Sequence, residues 1–495
     1  MQVTPGPSQF SALAEQVNTI PVFKEIAADQ DTPVSAFLKL HRGGQGFLLE
    51  SVEGGNRWGR YSILGTNPLM TLRAEGGRLE VNHRDGSSRV LEGDPLDCLA
   101  SVLEPFKQAE TAGLGRFAGG FVGYLAYDLI RTVENLPLDT EDDLSVADIA
   151  GVVADNFILF DNVSRTMKVV SMALCHAGVD AGQAYDQAIA SIDETIECLR
   201  SAPLVPPPPP LGGPPGPPTS NLSPGQYGQA VERAKEYIRA GDIIQVVLSQ
   251  RYSQPVSSHP FSIYRALRTI NPSPYMYYLD LGQETVVGAS PEVMVRVEGK
   301  NIVVRPIAGT TRRGRDEDED RRLVEAMLAD PKEQAEHVML LDLARNDVGK
   351  VSEIGSVCVE EQMTVERYSH VNHIVSHVSG RLKEGADRID AFRATFPAGT
   401  LSGAPKVRAM EIIEELETTR RGIYGGAIGY LDFRGNMDTA IAIRTVLIKN
   451  DMVYLQVGAG IVADSYPTRE QAECEEKGAA MLLALEKARD MEVPV

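Results

Sequence analysis

Between Val205 and Ser220 the chain reads VPPPPPLGGPPGPPTS, a stretch with nine prolines. Proline lacks a backbone N–H and fixes φ near −65°, so this stretch enters neither a helix interior nor a central strand. It reads as an exposed, semi-extended linker or long loop, and a proline motif for a docking partner is the second reading. The chain has 495 residues, too many for one ordinary core. The expected divisions are therefore an amino-terminal region over 1–204, a linker over 205–221 and a second region from 222 onward.

The net charge of −20 argues against a general nucleic-acid or anionic-membrane binder. It leaves room for an anionic substrate, because a few arginines reverse the field inside a cleft. The start of the chain has no charged segment leading into an apolar one, and no uncharged apolar run of membrane length occurs. The five cysteines are scattered and odd in number, with no CxxC pair, so neither a disulfide framework nor a thiolate zinc site is expected. A cytoplasmic enzyme is the expectation.

Strand-like runs dominate on both sides of the linker. GFLLES and GGFVGYLAYDLI precede it, and GVVADNFILFDN is expected to pair with TMKVVSMAL. After it, Ser223 and Pro224 are placed at the N-cap and first turn of a helix that Gly241 ends. Strands then fit IIQVVLSQRYSQ, YMYYLDLG, ETVVGASPEVMVRVEG, GGAIGYLDF, DTAIAIRTVLI and MVYLQVGAGIVADS. No repeated strand–helix order and no opening GxGxxG appear. An α+β fold with a large antiparallel sheet core and peripheral helices follows.

Several motifs carry chemistry. In DPKEQAEHVMLLDLARND, Asp330 and Pro331 start a helix, and Glu333 stands where a capping box would use it. Glu336 lies a turn further in. A second helix after Pro467 carries Glu470 and Glu473 at the same spacing of three. Four carboxylates on two helices fit either a solvated acidic face or a magnesium site, since that ion takes one or two carboxylates and keeps other oxygens. SHVNHIVSHVSG spaces His370, His373 and His377 like zinc ligands, but strand alternation would scatter them. His373 is either a core histidine or a proton-transfer group. FPAGTLSGAPK places Thr400 in a tight loop, with Pro405 in the first turn of the following helix. Gly458 and Gly460 flank Ala459, permitting close approach by a flat ligand. In DTAIAIRTVLI, alternation puts Ala440, Ala442 and Arg444 on one strand face. Arg444 then wants either a buried anion or an internal ion pair, with Tyr424 expected nearby. RPIAGTTRRG brings Gly309, Thr310 and three arginines. Arg312, Arg313 and Arg315 are expected to order the loop, pair with the DEDED acids or attract substrate.

Taken together, GDIIQVVLSQR, NPSPYMYYL, GASPEV, RPIAGTTRRG, EHVMLLDLARND, FPAGTLSGAPK, YGGAIGY, DTAIAIRT and VGAGIVADS resemble the large subunits of anthranilate synthases, within the chorismate-utilising enzymes. The resemblance covers nearly the whole chain. It implies the antiparallel core of that family over 222–488, followed by a tail over 489–495, with an intertwined amino-terminal regulatory part. It also implies a carbon–oxygen lyase that aminates chorismate at C2 with ammonia and then expels pyruvate, giving anthranilate for tryptophan biosynthesis.

The same resemblance assigns residues. Glu336 and Glu473 would ligate Mg2+, with Glu333 and Glu470 in close support. Glu292 in ASPEV would be the general acid for the departing 4-hydroxyl, and His373 would serve pyruvate elimination. Thr400 would line the ring pocket, and Gly309 and Thr310 would lie near the ring carboxylate. Arg444 and Tyr424 would face the enolpyruvyl side, with Gly458, Ala459 and Gly460 near a carboxylate. Leu49, Glu50 and Ser51, opposite Asn271, Pro274, Tyr275 and Met276, resemble a tryptophan feedback site in which Glu50 meets the ligand's ammonium.

Two positions separate sister reactions. Relatives that add water carry a lysine where this chain has Gln245, and an amide is no base at neutral pH. Relatives that stop at aminodeoxychorismate carry a lysine where this chain has Ala308, and a methyl does no acid–base or nucleophilic work. No glutaminase cysteine setting is present, so the resemblance implies a separate glutamine amidotransferase subunit as ammonia source. The alternatives are an aminodeoxychorismate synthase large subunit and a non-catalytic subunit that binds chorismate or an amino acid.

Overall fold

The computed structural model describes residues 2–51, 60–111, 113–175, 179–202, 216–368 and 371–491. Most of the proline-rich stretch, 203–215, and His370 lie outside the described residues.

Among the described residues two large sheets form, of 13 and 12 strands. Each contains a contiguous block of strands from before the linker and another from after it, joined along one antiparallel seam. In the first sheet Gly46–Glu50 pairs with Tyr275–Asp280. In the second Gly120–Leu125 pairs with Ala427–Asp432. The chain regions before and after the linker are therefore hydrogen-bonded into shared sheets, which accords with the expected α+β fold and its large antiparallel core.

Alternation along the strands explains the layering. Phe47, Tyr277 and Leu447 of the first sheet join Leu72, Phe121 and Ile428 of the second in one core. Their neighbours Leu48, Tyr278 and Val446 point the other way, into a second core. That outer face is covered by the helices Ala181–Leu199, Gln226–Ala240, Pro260–Ile270 and Pro467–Asp490. The helix Pro331–Val351 packs on the second sheet, against Ile307–Arg312 and Val371–Arg381. Among the described residues no helix is long and apolar enough to cross a membrane.

Local signals act mostly as expected. GVVADNFILFDN pairs with TMKVVSMAL through Asn156–Asp161 and Thr166–Leu174, but its opening GVVA belongs to the strand Ile149–Ala154 of the other sheet. Gly241 ends its helix with φ +85°, its N–H bonded to the Ile238 carbonyl. The start of that helix differs from expectation. Gly225, at φ +84°, takes the N-cap, and Ser223 instead meets the side chain of Gln226, so Pro224 stays outside the helix. Pro405 likewise sits at the N-cap of Lys406–Leu416, one residue before its first turn.

Because Phe121 is fully buried beside the second seam, Phe121→Ala should lower stability by about 3–5 kcal/mol. Thermal melting should show the drop in a transition shared by tryptic fragments from both sides of the linker. Release of one side alone would contradict the shared core.

Candidate active site

Two segments that switch sheets form the centre of the site. GASPEV leaves the first sheet at Ser290 and enters the second at Val293, with Glu292 at the crossing. DTAIAIRTVLI leaves the second sheet at Ile441 and enters the first at Thr445. The crossings lie side by side. The Ile441 N–H donates to the Glu292 carbonyl at 3.0 Å, and the Ala289 N–H to the Arg444 carbonyl at 3.1 Å. This corrects the reading of DTAIAIRTVLI as one alternating strand. Arg444 lies off both strands at φ +51°, a conformation that costs a non-glycine residue of order 1–3 kcal/mol. Its guanidinium makes no ion pair with any described residue. Burial lowers its pKa, and the nearby Glu292 opposes that shift.

The Glu292 carboxyl is 7% exposed. Burial pushes its pKa up to about 8, against opposing pulls from a Thr400 hydrogen bond, the Ile307 N–H, Arg444 and Lys477. The Thr400 hydroxyl donates to its Oε1 at 3.2 Å from the single turn Gly399–Leu401. At neutral pH this side chain is mainly a carboxylic acid, able to give up a proton.

His373 is 6% exposed, on Val371–Arg381. Burial and then Arg444 repulsion lower its pKa to about 4, so the imidazole is neutral at pH 7. Its Nδ1 faces the Thr310 hydroxyl at 3.0 Å and the Gly309 carbonyl at 3.4 Å. A carbonyl only accepts, so a proton on Nδ1 leaves Nε2 as the basic nitrogen. Thr310 pairs with His373 across the ladder, and a bulge at Gly309, φ +71°, interrupts the register. His377, four residues on, faces Glu360 at 3.6 Å, so it does not share His373's partners.

The acidic helices converge on this cleft. Asp330 caps Pro331–Val351 as expected, but Glu333 does not complete a capping box, because the Asp330 N–H is bonded to the Met327 carbonyl. Glu333 instead reaches the Gly309 turn, its Oε2 3.1 Å from where a Cβ on Gly309 would stand. Burial raises the Glu333 and Glu336 pKa values, and Glu473 from the Pro467–Asp490 helix raises both further. Glu473 itself pairs with Lys477 at 2.8 Å, while Glu470 is buried. As the side chains stand, no three acidic, histidine or cysteine groups among the described residues converge as metal ligands.

Lys477 was not singled out from the sequence. Its signal was the spacing of four from Glu473 on a helix. Its Nζ also donates to the Gly458 carbonyl at 3.0 Å. Gly458, Ala459 and Gly460 lie on Met452–Ile461 opposite Ser249, Leu248 and Val247. A Cβ on Gly458 would stand 2.7 Å from the Tyr424 hydroxyl, and one on Gly460 2.6 Å from Gln245 Nε2. Gln245 Oε1 is buried without a partner. The structure thus brings together Glu292, Thr400, Arg444, His373, Gly309, Thr310, Glu333, Glu336 and Glu473, with the Gly458 strand joined through Lys477 and Tyr424 standing beside Gly458. The loop arginines are structural: Arg312 and Arg315 pair with Glu319, and Arg313 with Asp320.

A separate cavity of about 300 Å³ opens at the first-sheet seam. Leu49, Glu50, Ser51, Pro274, Tyr275 and Met276 line it, with Arg116, Tyr430 and Asp438. Asn271 is not part of its lining and ends the Pro260–Ile270 helix. Glu50, which the resemblance sets against a ligand's ammonium, lines the cavity with its carboxylate already engaged. Its carboxylate accepts from Tyr264 at 2.5 Å and from Arg268 at 2.9 and 3.2 Å.

A family model described as chorismate binding enzyme matches residues 47–483. The chain is 46% identical to anthranilate synthase component 1 of Acetivibrio thermocellus, over 98% of this chain and 99% of that protein. It is also 46% identical to anthranilate synthase component 1 of Aquifex aeolicus, over 97% of each. A crystal structure of anthranilate synthase component I from Streptococcus pneumoniae superposes with a TM-score of 0.76 at 37% identity, covering 92% of this chain and 99% of that one. The menaquinone-specific isochorismate synthase of Escherichia coli shares the fold, with a TM-score of 0.69 at 19% identity.

Removing the repulsion in Arg444→Met should move the His373 titration upward from about 4 towards its ordinary value. NMR of the imidazole reads this directly, and an unmoved midpoint would show that burial alone sets it.

Proposed function

The chain belongs to the chorismate-binding enzyme family, and from that premise we propose that it is an anthranilate synthase large subunit. It is read as a cytoplasmic enzyme that takes chorismate and ammonia to anthranilate, pyruvate and water. What carries this reading is the meeting, in one cleft, of a protonated buried acid, an arginine with no ion pair among the described residues, a neutral imidazole and carboxylates from two helices.

The donor set fits a divalent cation. Glu333 and Glu336 each hold a raised pKa partly because Glu473 stands near them, a like-charge cluster that a hard cation relieves. Glu336 and Glu473 would hold Mg2+, with Glu333 and Glu470 beside them. When bound, the ion supplies positive charge to the substrate's ring carboxylate.

The chain's own groups do the remainder. Ammonia forms a bond to ring C2 and the 4-hydroxyl leaves across the conjugated system, taking the Glu292 proton and departing as water. Such acid assistance contributes roughly 10²–10⁴ in rate. The neutral imidazole of His373 then accepts the C2 proton as the C3–oxygen bond breaks, and the enolpyruvyl group leaves to become pyruvate. Arg444, Tyr424 and the Gly458–Gly460 strand would hold the enolpyruvyl carboxylate. Thr400 holds the acid in place. Gln245 and Ala308 favour amination with elimination over water addition or arrest at the amino intermediate. Ammonia would come from a separate glutamine amidotransferase subunit. The seam cavity would take tryptophan as feedback inhibitor. Its Asp438 is engaged with Tyr275 and Arg296, so ligand recognition would lean on backbone groups and Ser51 as well as on acids.

Purified chain with chorismate, Mg2+ and an ammonium salt should make anthranilate and pyruvate, and almost none with glutamine alone. An amino product that retains its pyruvate would replace this reading with the aminodeoxychorismate one. Binding without turnover would make the chain a regulatory subunit. Glu336→Gln or Glu473→Gln should lower turnover at least 100-fold in a folded protein.

The acid form of Glu292 is lost as pH rises through about 8, so kcat should fall above that value. In Glu292→Gln the residual rate should lack that limb. Ser51→Ala should weaken inhibition by tryptophan, and an unchanged inhibition curve would count against the seam cavity as its site.

A further inference from the structure

Behind the Thr400 turn and Tyr424 lies a buried ion pair that the chemistry above does not use. Glu417 and Arg421 stand four residues apart just past the Lys406–Leu416 helix, 8% and 3% exposed. The Arg421 Nε and Nη2 donate to Glu417 at 2.9 and 2.7 Å. Its Nη1 donates to the Leu401 carbonyl at 2.6 Å, and Nη2 to the Val247 carbonyl at 2.7 Å. The guanidinium also lies 4.6 Å from the Tyr127 ring centre and 5.6 Å from that of Tyr424. Glu417 Oε1 accepts in addition from the N–H and hydroxyl of Ser249, both at 2.8 Å.

A buried ion pair of this kind is weak evidence for stability, since desolvation offsets much of the attraction. Its planar fork does, however, fix geometry, and every group it fixes adjoins the site. Leu401 follows Thr400 in the turn. Val247 and Ser249 lie two and four residues beyond Gln245 on one strand. Ser249 is the register partner of Gly458.

We propose that Arg421 is a positioning residue. By holding the Leu401 carbonyl against the Val247 strand, it keeps the Thr400 hydroxyl within donating distance of Glu292. The proposal rests on the reading of Glu292 as the acid of the reaction.

The test compares Arg421→Lys, Thr400→Val and their double variant in the full chain. A lysine ammonium cannot span Glu417 and two carbonyls at once, so the Thr400 turn should loosen. The readout is the ionisation midpoint of Glu292, followed by the infrared band of its protonated carboxyl and identified by its absence in Glu292→Gln. The Thr400 bond favours the ionised form, so either single variant should shift the midpoint upward, and the double variant should shift it no further than Thr400→Val alone. Turnover in Arg421→Lys should fall about 10–100-fold with KM changed less than threefold.

Additive shifts, or a lower melting temperature with an unmoved midpoint, would overturn the proposal. Should Arg421→Lys not fold, Glu417→Gln weakens the same clamp and should shift the midpoint in the same direction, and no shift there would equally overturn it. The midpoint is read without substrate, so it stands apart from the acid assignment. Full turnover in Glu292→Gln would remove that assignment and leave the coupling itself measured.

Discussion

The site depends on two chain crossings bound to each other by backbone hydrogen bonds. Glu292 and Arg444 both occupy points where the chain leaves one sheet for the other, and each crossing supplies the hydrogen-bond partner of its neighbour. Neither crossing could sit there alone, because a segment between sheets has lost its ladder partners and buried amides need acceptors. Pairing the crossings solves that problem and places a carboxyl and a guanidinium in the same water-poor space. The left-handed backbone of Arg444 is the strained element in this arrangement, held by regular strands on both sides.

The electrostatics follow from that enclosure. Burial favours the neutral forms of Glu292 and His373, so an acid and a base coexist near neutral pH with their ordinary order of pKa values reversed. Arg444 stays without a counterion among the described residues and lowers both pKa values. Arg444 thus adds a positive charge at the crossings, although the chain as a whole is strongly acidic.

Strand register links the lining of the seam cavity to this centre. Tyr275 lines the cavity and is the register partner of Ser290, two residues before Glu292. Asp438 also lines it and is the second residue of the strand Met437–Ile441, which runs on to the Arg444 crossing. The cavity also takes Leu49, Glu50 and Ser51 from before the linker, so both chain regions contribute to its wall.

From the sequence alone came the element types, the antiparallel class, the Asp330 cap and the chemistry-bearing residues themselves, because periodicity, capping and turn residues act over a few positions and motifs preserve side-chain chemistry. The resemblance supplied their roles. Tertiary structure decided the rest. DTAIAIRTVLI alternates like one strand, and only the sheets on either side reveal that it breaks before Arg444. Glu50 looks available in its motif, yet Tyr264 and Arg268, more than two hundred residues away, already hold it. Lys477 and Arg421 read as ordinary helical and loop cations until folding brings them to Gly458 and Leu401. The division has a physical cause: propensity and pattern are local, whereas burial, pairing and charge state are set by neighbours that only the fold supplies.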